Sequence, residues 1–276
     1  MKKYPVFLMA GRDPERREIM KVLDPEEKYK SKCQLEIHGK PIIQWVIDEL
    51  EKSEYVDQIY ILGLSKEDLP LEGNLEYIPV ETTAEVYDKY IVGFDYLRER
   101  GRYHDIIVMC GSDIPAVKVE SINQFIKAIS EKEDYDFIMG VVPEEVAAKE
   151  FPEHDRTVGH FTDHSLFPGD MFALSYRAIL TGEKTIRRFS EGRKTRSFWT
   201  AVFFIGTKPQ TWSRILKIFR KKASTQDAIE IFQRAFRCEA DIEIVEDLGF
   251  GYDMDLYKDY KRLEKYMLKT KLKDKK

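Results

Sequence analysis

The chain contains no apolar run near the ~18–20 residues that a membrane-spanning helix needs. The short apolar stretch after Lys2 and Lys3, Val6 to Ala10, is too brief for a secretory signal core and no small-residue cleavage pattern follows it. Cysteine is scarce. Cys33, Cys110 and Cys238 are far apart and odd in number, so they make neither a disulfide framework nor a zinc pattern. They fit a reducing compartment, and a cytoplasmic location is expected. A basic excess is also missing: 45 Lys+Arg against 49 Asp+Glu leaves a formal charge of −4, which argues against a protein that coats nucleic acid. Three common signatures are absent as well. Gly39-Lys40 is followed by Pro41, so there is no Walker-type loop. Gly249 and Gly251 are followed by Met254, so there is no dinucleotide fingerprint. No Gly-x-Ser-x-Gly elbow occurs.

With 276 residues and 43% hydrophobic content, the chain is long enough to bury a sizeable core. Buried-strand runs are read at Tyr4–Met9, Ile59–Leu64, Leu75–Val80, Ile106–Cys110, Phe137–Val142, Met171–Leu174, Val202–Ile205 and Ile242–Val245. Helical stripes lie between several of them. Ile42, Ile43, Val46, Ile47 and Leu50 follow Pro41; Val86, Tyr90, Phe94 and Leu97 precede Gly101; Ile122, Phe125, Ile126 and Ile129 make a third. Alternating strands and helices predict a mostly parallel sheet covered on both faces, an α/β/α sandwich. One domain is expected over residues 4–266. The lysine-rich segment 267–276 is read as a tail with a solvated, frayed helix end.

Ligands bind beyond the carboxyl ends of the strands in such sheets. Three post-strand loops therefore carry interest. The first begins Ala10-Gly11-Arg12 and reaches Lys32; the glycine permits a phosphate to approach the backbone, and the basic side chains add charge. The second is Gly111-Ser112-Asp113-Ile114-Pro115, whose carboxylate suits Mg²⁺ or a helix cap equally well. The third is Gly249–Asp255, followed by Asp259 and Tyr260, readable as an acidic helix start or as a cation site. His154, His160, Asp163 and His164 also lie close in sequence, in a spacing that fits no metal-ligand pattern. They are read as solvated or ligand-facing side chains.

The run KCQLEIHGKPIIQWVID (32–48) resembles the lysine–Gly-Lys-Pro–helix segment of the MobA-like nucleotidyltransferase family, which has the GT-A nucleoside-diphospho-sugar transferase fold. Lys32 precedes Gly39 by seven residues, as in that family. Ser112-Asp113-Ile114-Pro115 is similar to its Ser/Gly-Asp-x-Pro step. Asp253-Met254-Asp255 is similar to its closing Asp-x-Asp, and Gly169-Asp170-Met171 to its Gly-Asn-Leu. The likeness runs through roughly residues 4–266.

The resemblance implies a three-layer α/β/α fold with a mixed, mostly parallel sheet. It implies transfer of NMP from an NTP to a small phosphorylated acceptor such as a sugar phosphate, with release of pyrophosphate and dependence on Mg²⁺ or Mn²⁺. Lys32, Arg12 and Asp113 would be catalytic, and Asp113 and Asp255 would hold the metal. Leu8, Ala10, Gly11, Arg12, Lys32, Thr82, Thr83 and Ser112 would line the nucleotide site, with Gly169 and Asp170 facing the acceptor. Thr82 and Thr83 could instead cap the following helix, and the loop arginine could be Arg12, Arg16 or Arg17. Asp253 would support the site, and Asp259 would cap a helix. The chain departs from the family in having Arg12 for its second glycine, a long loop between Gly11 and Lys32, Asp170 for its Asn, and Leu256-Tyr257 for its Thr-Pro. A glycosyltransferase of the same fold and a non-catalytic nucleotide sensor are the alternatives. Base, acceptor and oligomeric state, a homodimer included, stay open.

Overall fold

A computed structural model describes residues 2–11, 15–132, 134–194 and 222–272, together with Lys217 and Arg220. Arg12 and the strand expected at Val202–Ile205 lie outside the described residues, as does the end of the lysine-rich tail.

The elements run β1 (Tyr4–Met9), α1 (Glu18–Leu23), a 3₁₀ turn (Lys32–Gln34), β2 (Glu36–Ile37), β3 (Lys40–Pro41), α2 (Ile42–Glu51), β4 (Val56–Leu62), β5 (Leu75–Ile78), α3 (Val86–Glu99) and β6 (Ile106–Gly111). Then follow α4 (Val119–Glu131), β7 (Phe137–Pro143), α5 (Glu144–Glu150), β8 (Gly159–His160), β9 (Ser165–Ser175), α6 (Tyr176–Lys194), α7 (Thr225–Phe236), β10 (Ala240–Ile244), α8 (Leu248–Gly251) and α9 (Tyr257–Thr270). The main sheet has the order β10-β7-β9-β6-β1-β4-β5, with β8 on β9. Pairs β1–β4, β1–β6, β4–β5 and β7–β10 are parallel. Strand β9 is antiparallel to both β6 and β7. The predicted mixed, mostly parallel α/β sheet is therefore present.

Alternation along the strands builds the three layers, because successive side chains leave a strand on opposite faces. Val6 and Leu8 of β1 and Val108 and Cys110 of β6 join one core with Ile42, Val46 and Leu50 of α2 and Ile122, Phe125 and Ile126 of α4. Phe7, Ile107 and Met109 face the other way and meet Tyr87, Tyr90, Phe94 and Leu97 of α3 with Ile179 of α6. Pro5 has no N–H to give the ladder, and the β1–β4 register slips between Tyr4 and Val6.

The tail expected to fray does not do so at its start. Helix α9 continues to Thr270, Met267 is fully buried, and the Lys271 ammonium donates to Val117 O at 2.6 Å and meets Glu49 at 3.2 Å. A lysine stem lies well on apolar surface when its charged end finds a partner, which a count of lysines does not reveal. Residues 151–158 are irregular, and regular pairing begins only at β8.

Candidate active site

The parallel strands deliver their loops to one end of the sheet. Ser112 ties two of them together there, its hydroxyl donating to Met9 O at 2.6 Å. The next residue, Asp113, is 8% exposed. The long first loop is fixed by two buried polar hubs. Asp24 accepts from the backbone N–H of Lys28 (2.9 Å) and Tyr29 (3.0 Å) and pairs with Arg16 at 2.8 Å. Gln34 accepts from the N–H of Lys30 (2.8 Å) and Ser31 (2.9 Å). The Ser31 hydroxyl in turn donates to Gly11 O at 2.9 Å. Lys32 consequently starts the 3₁₀ turn directly beside the first strand's end.

The Lys32 ammonium lies 2.5 Å from Asp113 Oδ2 and 2.5 Å from Asp255 Oδ1. Burial alone would lower its pKa. The two carboxylates overcome that and raise it above the ordinary lysine value, so the ammonium stays charged. Arg17 is also paired with Asp255. Burial would raise the Asp255 carboxyl, but Lys32 and Arg17 hold it down at about 2. Arg16 is committed to Asp24 inside the first loop, which leaves Arg17 as the described loop arginine at the acidic centre. Asp253 completes that centre: one carboxylate oxygen from each of Asp113, Asp253 and Asp255 lies within 4.8 Å of the others. Arg156 pairs with Asp253, donates to its backbone carbonyl, and stacks 4.0 Å over the Tyr252 ring. Asp259 accepts from Leu256 N at 3.0 Å and so caps α9.

Three hard carboxylates converging on one point fit a divalent cation. Asp113 and Asp255 would be its holders, and the ammonium of Lys32 now bridges the same two groups. A groove of about 650 Å³ lies between Glu18 and the first turns of α9, with Leu256 and Tyr257 in its wall.

The remaining sequence-picked residues divide. Ala10 and Gly11 are at the sheet end, with Gly63 (φ +105°) so close that a Cβ on it would come 2.8 Å from Gly11 N. Thr82 lies beside Gly11, because its carbonyl oxygen is 2.8 Å from where a Gly11 Cβ would stand; Thr83 is exposed on the same loop. Asp170 stands across from Gly111: a Cβ added there would lie 2.0 Å from Asp170 Oδ2 and 3.2 Å from Asp113 Oδ1. Gly169 packs under the ring of Phe250. The Leu8 side chain is fully buried in the core on the α2 face. The histidines form no ligand set among the described residues. His160 pairs with Ser165 Oγ at 3.0 Å, and Asp163 accepts from Thr225 N at 2.9 Å.

Lys89 escapes sequence inspection. It is 5% exposed, donates to Thr82 O at 2.8 Å, and its Nζ would sit 1.9 Å from a Cβ on Gly11. The available signal is a lysine one residue before Tyr90 of the apolar α3 stripe.

No protein-family model and no curated protein sequence matches this chain. Its fold is shared with solved structures. A hypothetical transferase from Thermus thermophilus aligns with TM-score 0.71 and 16% identity, covering 94% of this chain and 99% of that one. CMP:2-keto-3-deoxy-manno-octonic acid synthetase, solved with CTP, aligns with TM-score 0.56 and 11% identity over 98% and 99% of the two chains. A 4-diphosphocytidyl-2C-methyl-D-erythritol synthase from Anaerococcus prevotii gives 0.50 and 12% over 96% of each. The chain thus shares the α/β fold of these proteins. No helix among the described residues is long and apolar enough to cross a membrane.

Proposed function

We propose that the protein is a metal-dependent nucleotidyltransferase that transfers NMP from an NTP to a small phosphorylated acceptor. The observation that carries the reading is the Lys32 ammonium held by both Asp113 and Asp255, three residues distant in sequence gathered at the sheet end where ligands bind. The fold shared with a synthetase solved with CTP supports it.

In this reading the acceptor's phosphate oxygen attacks the α-phosphorus of the NTP. The bond from that phosphorus to the oxygen bridging to the β-phosphate breaks, and pyrophosphate leaves. A phosphate monoester is already ionised near neutral pH, so no strong base is needed. The protein's task is alignment and charge stabilisation. Ala10 and Gly11 present backbone to the phosphates. Lys32 and a first-loop arginine, Arg12 or Arg17, stabilise the charge growing on the leaving pyrophosphate. The Thr82–Thr83 loop faces the base, Ser112 fixes the β6 end against β1, and Gly169 and Asp170 face the acceptor. Asp113 and Asp255 would hold Mg²⁺ or Mn²⁺, which would supply Lewis acidity at the phosphates.

The test is direct. Each of the four NTPs is incubated with Mg²⁺ and a panel of phosphorylated acceptors, and pyrophosphate is measured. One NTP–acceptor pair is expected to release it, and Asp113→Asn to lower the rate by 100-fold or more, on the order of a lost electrostatic contact in the transition state. Release of NDP from a nucleotide sugar instead would assign a glycosyltransferase. Unchanged turnover in Asp113→Asn would refute the proposed role of that residue.

A further inference from the structure

Lys89 belongs to α3, yet its ammonium reaches the seam between two loops of the candidate site. Gly11 follows β1 and Thr82 precedes α3; the Lys89 Nζ touches both, at 2.8 Å from Thr82 O and in the space that any side chain on residue 11 would need. The start of the helix that carries this lysine is fastened to α6. Arg187 of α6 pairs with Glu85 (3.0 Å), the residue before α3, and with Asp88 (2.7 Å) in its first turn, and stacks 4.4 Å over Tyr87. Lys89 is buried, and a buried ammonium is costly to maintain unless it is bonded; a buried donor discriminates strongly between ligand groups that accept a hydrogen bond and groups that do not.

We propose that Lys89 is a specificity-determining residue that reads the nucleobase, favouring bases with a ring carbonyl over adenine. The inference rests on the nucleotidyltransferase reading, in which the base lies on the Thr82–Thr83 loop and the triphosphate runs over Gly11. A base seated there has its edge at the loop junction that Lys89 occupies. Uracil, cytosine and guanine each carry a carbonyl oxygen that accepts a charged N–H bond. Adenine carries none and presents an amino donor where guanine has O6.

Binding of MgATP, MgUTP, MgCTP and MgGTP to the full chain is measured by titration calorimetry, for wild type and for Lys89→Met. In wild type ATP is expected to bind weakest, by about tenfold or more relative to the preferred oxo-base, the size of one charged hydrogen bond. Lys89→Met is expected to bring the preferred nucleotide down to the ATP level while ATP changes less than about twofold. A lysine that merely braces the loops would weaken all four equally, and that result overturns the proposal, as does a wild type that binds ATP as tightly as the rest. If no NTP binds wild type, the nucleotide reading itself fails. Should Lys89→Met not fold, wild-type affinities for ITP and ATP decide, since the two differ in oxo against amino at C6. Tighter ITP supports the role, and equal or weaker ITP overturns it.

Discussion

Lys32 and a divalent cation compete for the same oxygens. With its Nζ 2.5 Å from Asp113 and 2.5 Å from Asp255, the ammonium already neutralises the pair that would hold a metal. Arg17 and Arg156 do the same for Asp255 and Asp253. A cation arriving alone must therefore displace a favourable ion pair, whereas one arriving with a polyphosphate brings anions for Lys32 to contact instead. Lys32→Met is accordingly expected to bind Mn²⁺ at least about tenfold more tightly than wild type in the absence of nucleotide, since an opposite charge within ~4–6 Å is worth 1–3 pKa units to a carboxylate. The same variant is expected to lose most of its pyrophosphate release. Calorimetry or Mn²⁺ paramagnetic resonance reads the first effect. Unchanged or weaker Mn²⁺ binding would show that Lys32 does not compete for this position. At this scale the sequence offered Lys32, Asp113 and Asp255, because the motifs that resemble the family's lysine segment, Ser-Asp-x-Pro step and closing Asp-x-Asp single them out. It did not show Lys89 or the pairing of Arg156 with Asp253, because both depend on which loops the folded chain lays side by side.

Between elements, one buried carboxylate joins four pieces of backbone. Asp136, just before β7, accepts from Ser175 Oγ (2.7 Å) at the end of β9, from Arg177 Nε (2.9 Å) at the start of α6, and from Glu239 N (3.2 Å) leading into β10; its own carbonyl accepts from Ser175 N at 2.8 Å. Burial would raise its pKa, and Arg177, Ser175 and the Glu239 N–H together lower it below the usual carboxylate range. A lowered folded pKa means that the unfolded chain takes up the proton first. The contribution is thus complete above the unfolded value of ~3.9 and is lost as pH falls through the folded value. Asp136→Asn is expected to destabilise the protein by about 1–3 kcal/mol at pH 7, the cost of leaving buried hydrogen-bond partners unsatisfied, and the gap from wild type is expected to shrink as the pH falls below 4. Urea unfolding at pH 7 and pH 3.5 measures both; a gap that does not shrink would remove the carboxylate's charge from the account. The strands it joins were legible, since β7 and β10 are short apolar runs and β9 contains one. The antiparallel insertion of β9 between β6 and β7 was not, because apolar periodicity reports burial and says nothing of partner or direction. The two-residue strands β2, β3 and β8 are too short to carry a period at all.

For the molecule as a whole, the candidate site closes only when the chain's end returns to its beginning. Asp255 lies two residues before α9, and it must meet Lys32 and Asp113 from the first half of the sequence. What sets its position is the docking of α9. Leu263 and Met267 are fully buried and Tyr266 is 8% exposed. His38 Nε2 lies 2.8 Å from Glu264 O. Beyond the helix, Lys271 is fastened to Glu49 and Val117 O. Burial lowers the Lys271 pKa more than Glu49 restores it, so this is an ammonium held at some cost and retained for where it places the helix end. A domain boundary drawn after residue 266 from the lysine count cuts through this docking. Removing residues 267–276 deletes one fully buried Met side chain, worth about 1.5–3 kcal/mol on area alone, together with the Lys271 clamp. For a chain of this size each kcal/mol moves Tm by about 2–4 °C, so a fall of at least about 5 °C is expected in a thermal scan. Because Asp255 stands just ahead of α9, the shortened chain is also expected to lose metal-dependent pyrophosphate release at temperatures where it is still folded, whereas a chain ending at residue 272 should keep both properties. A shortened chain that kept full stability and turnover would mean that Asp255 is positioned by its own loop, without help from the helix behind it.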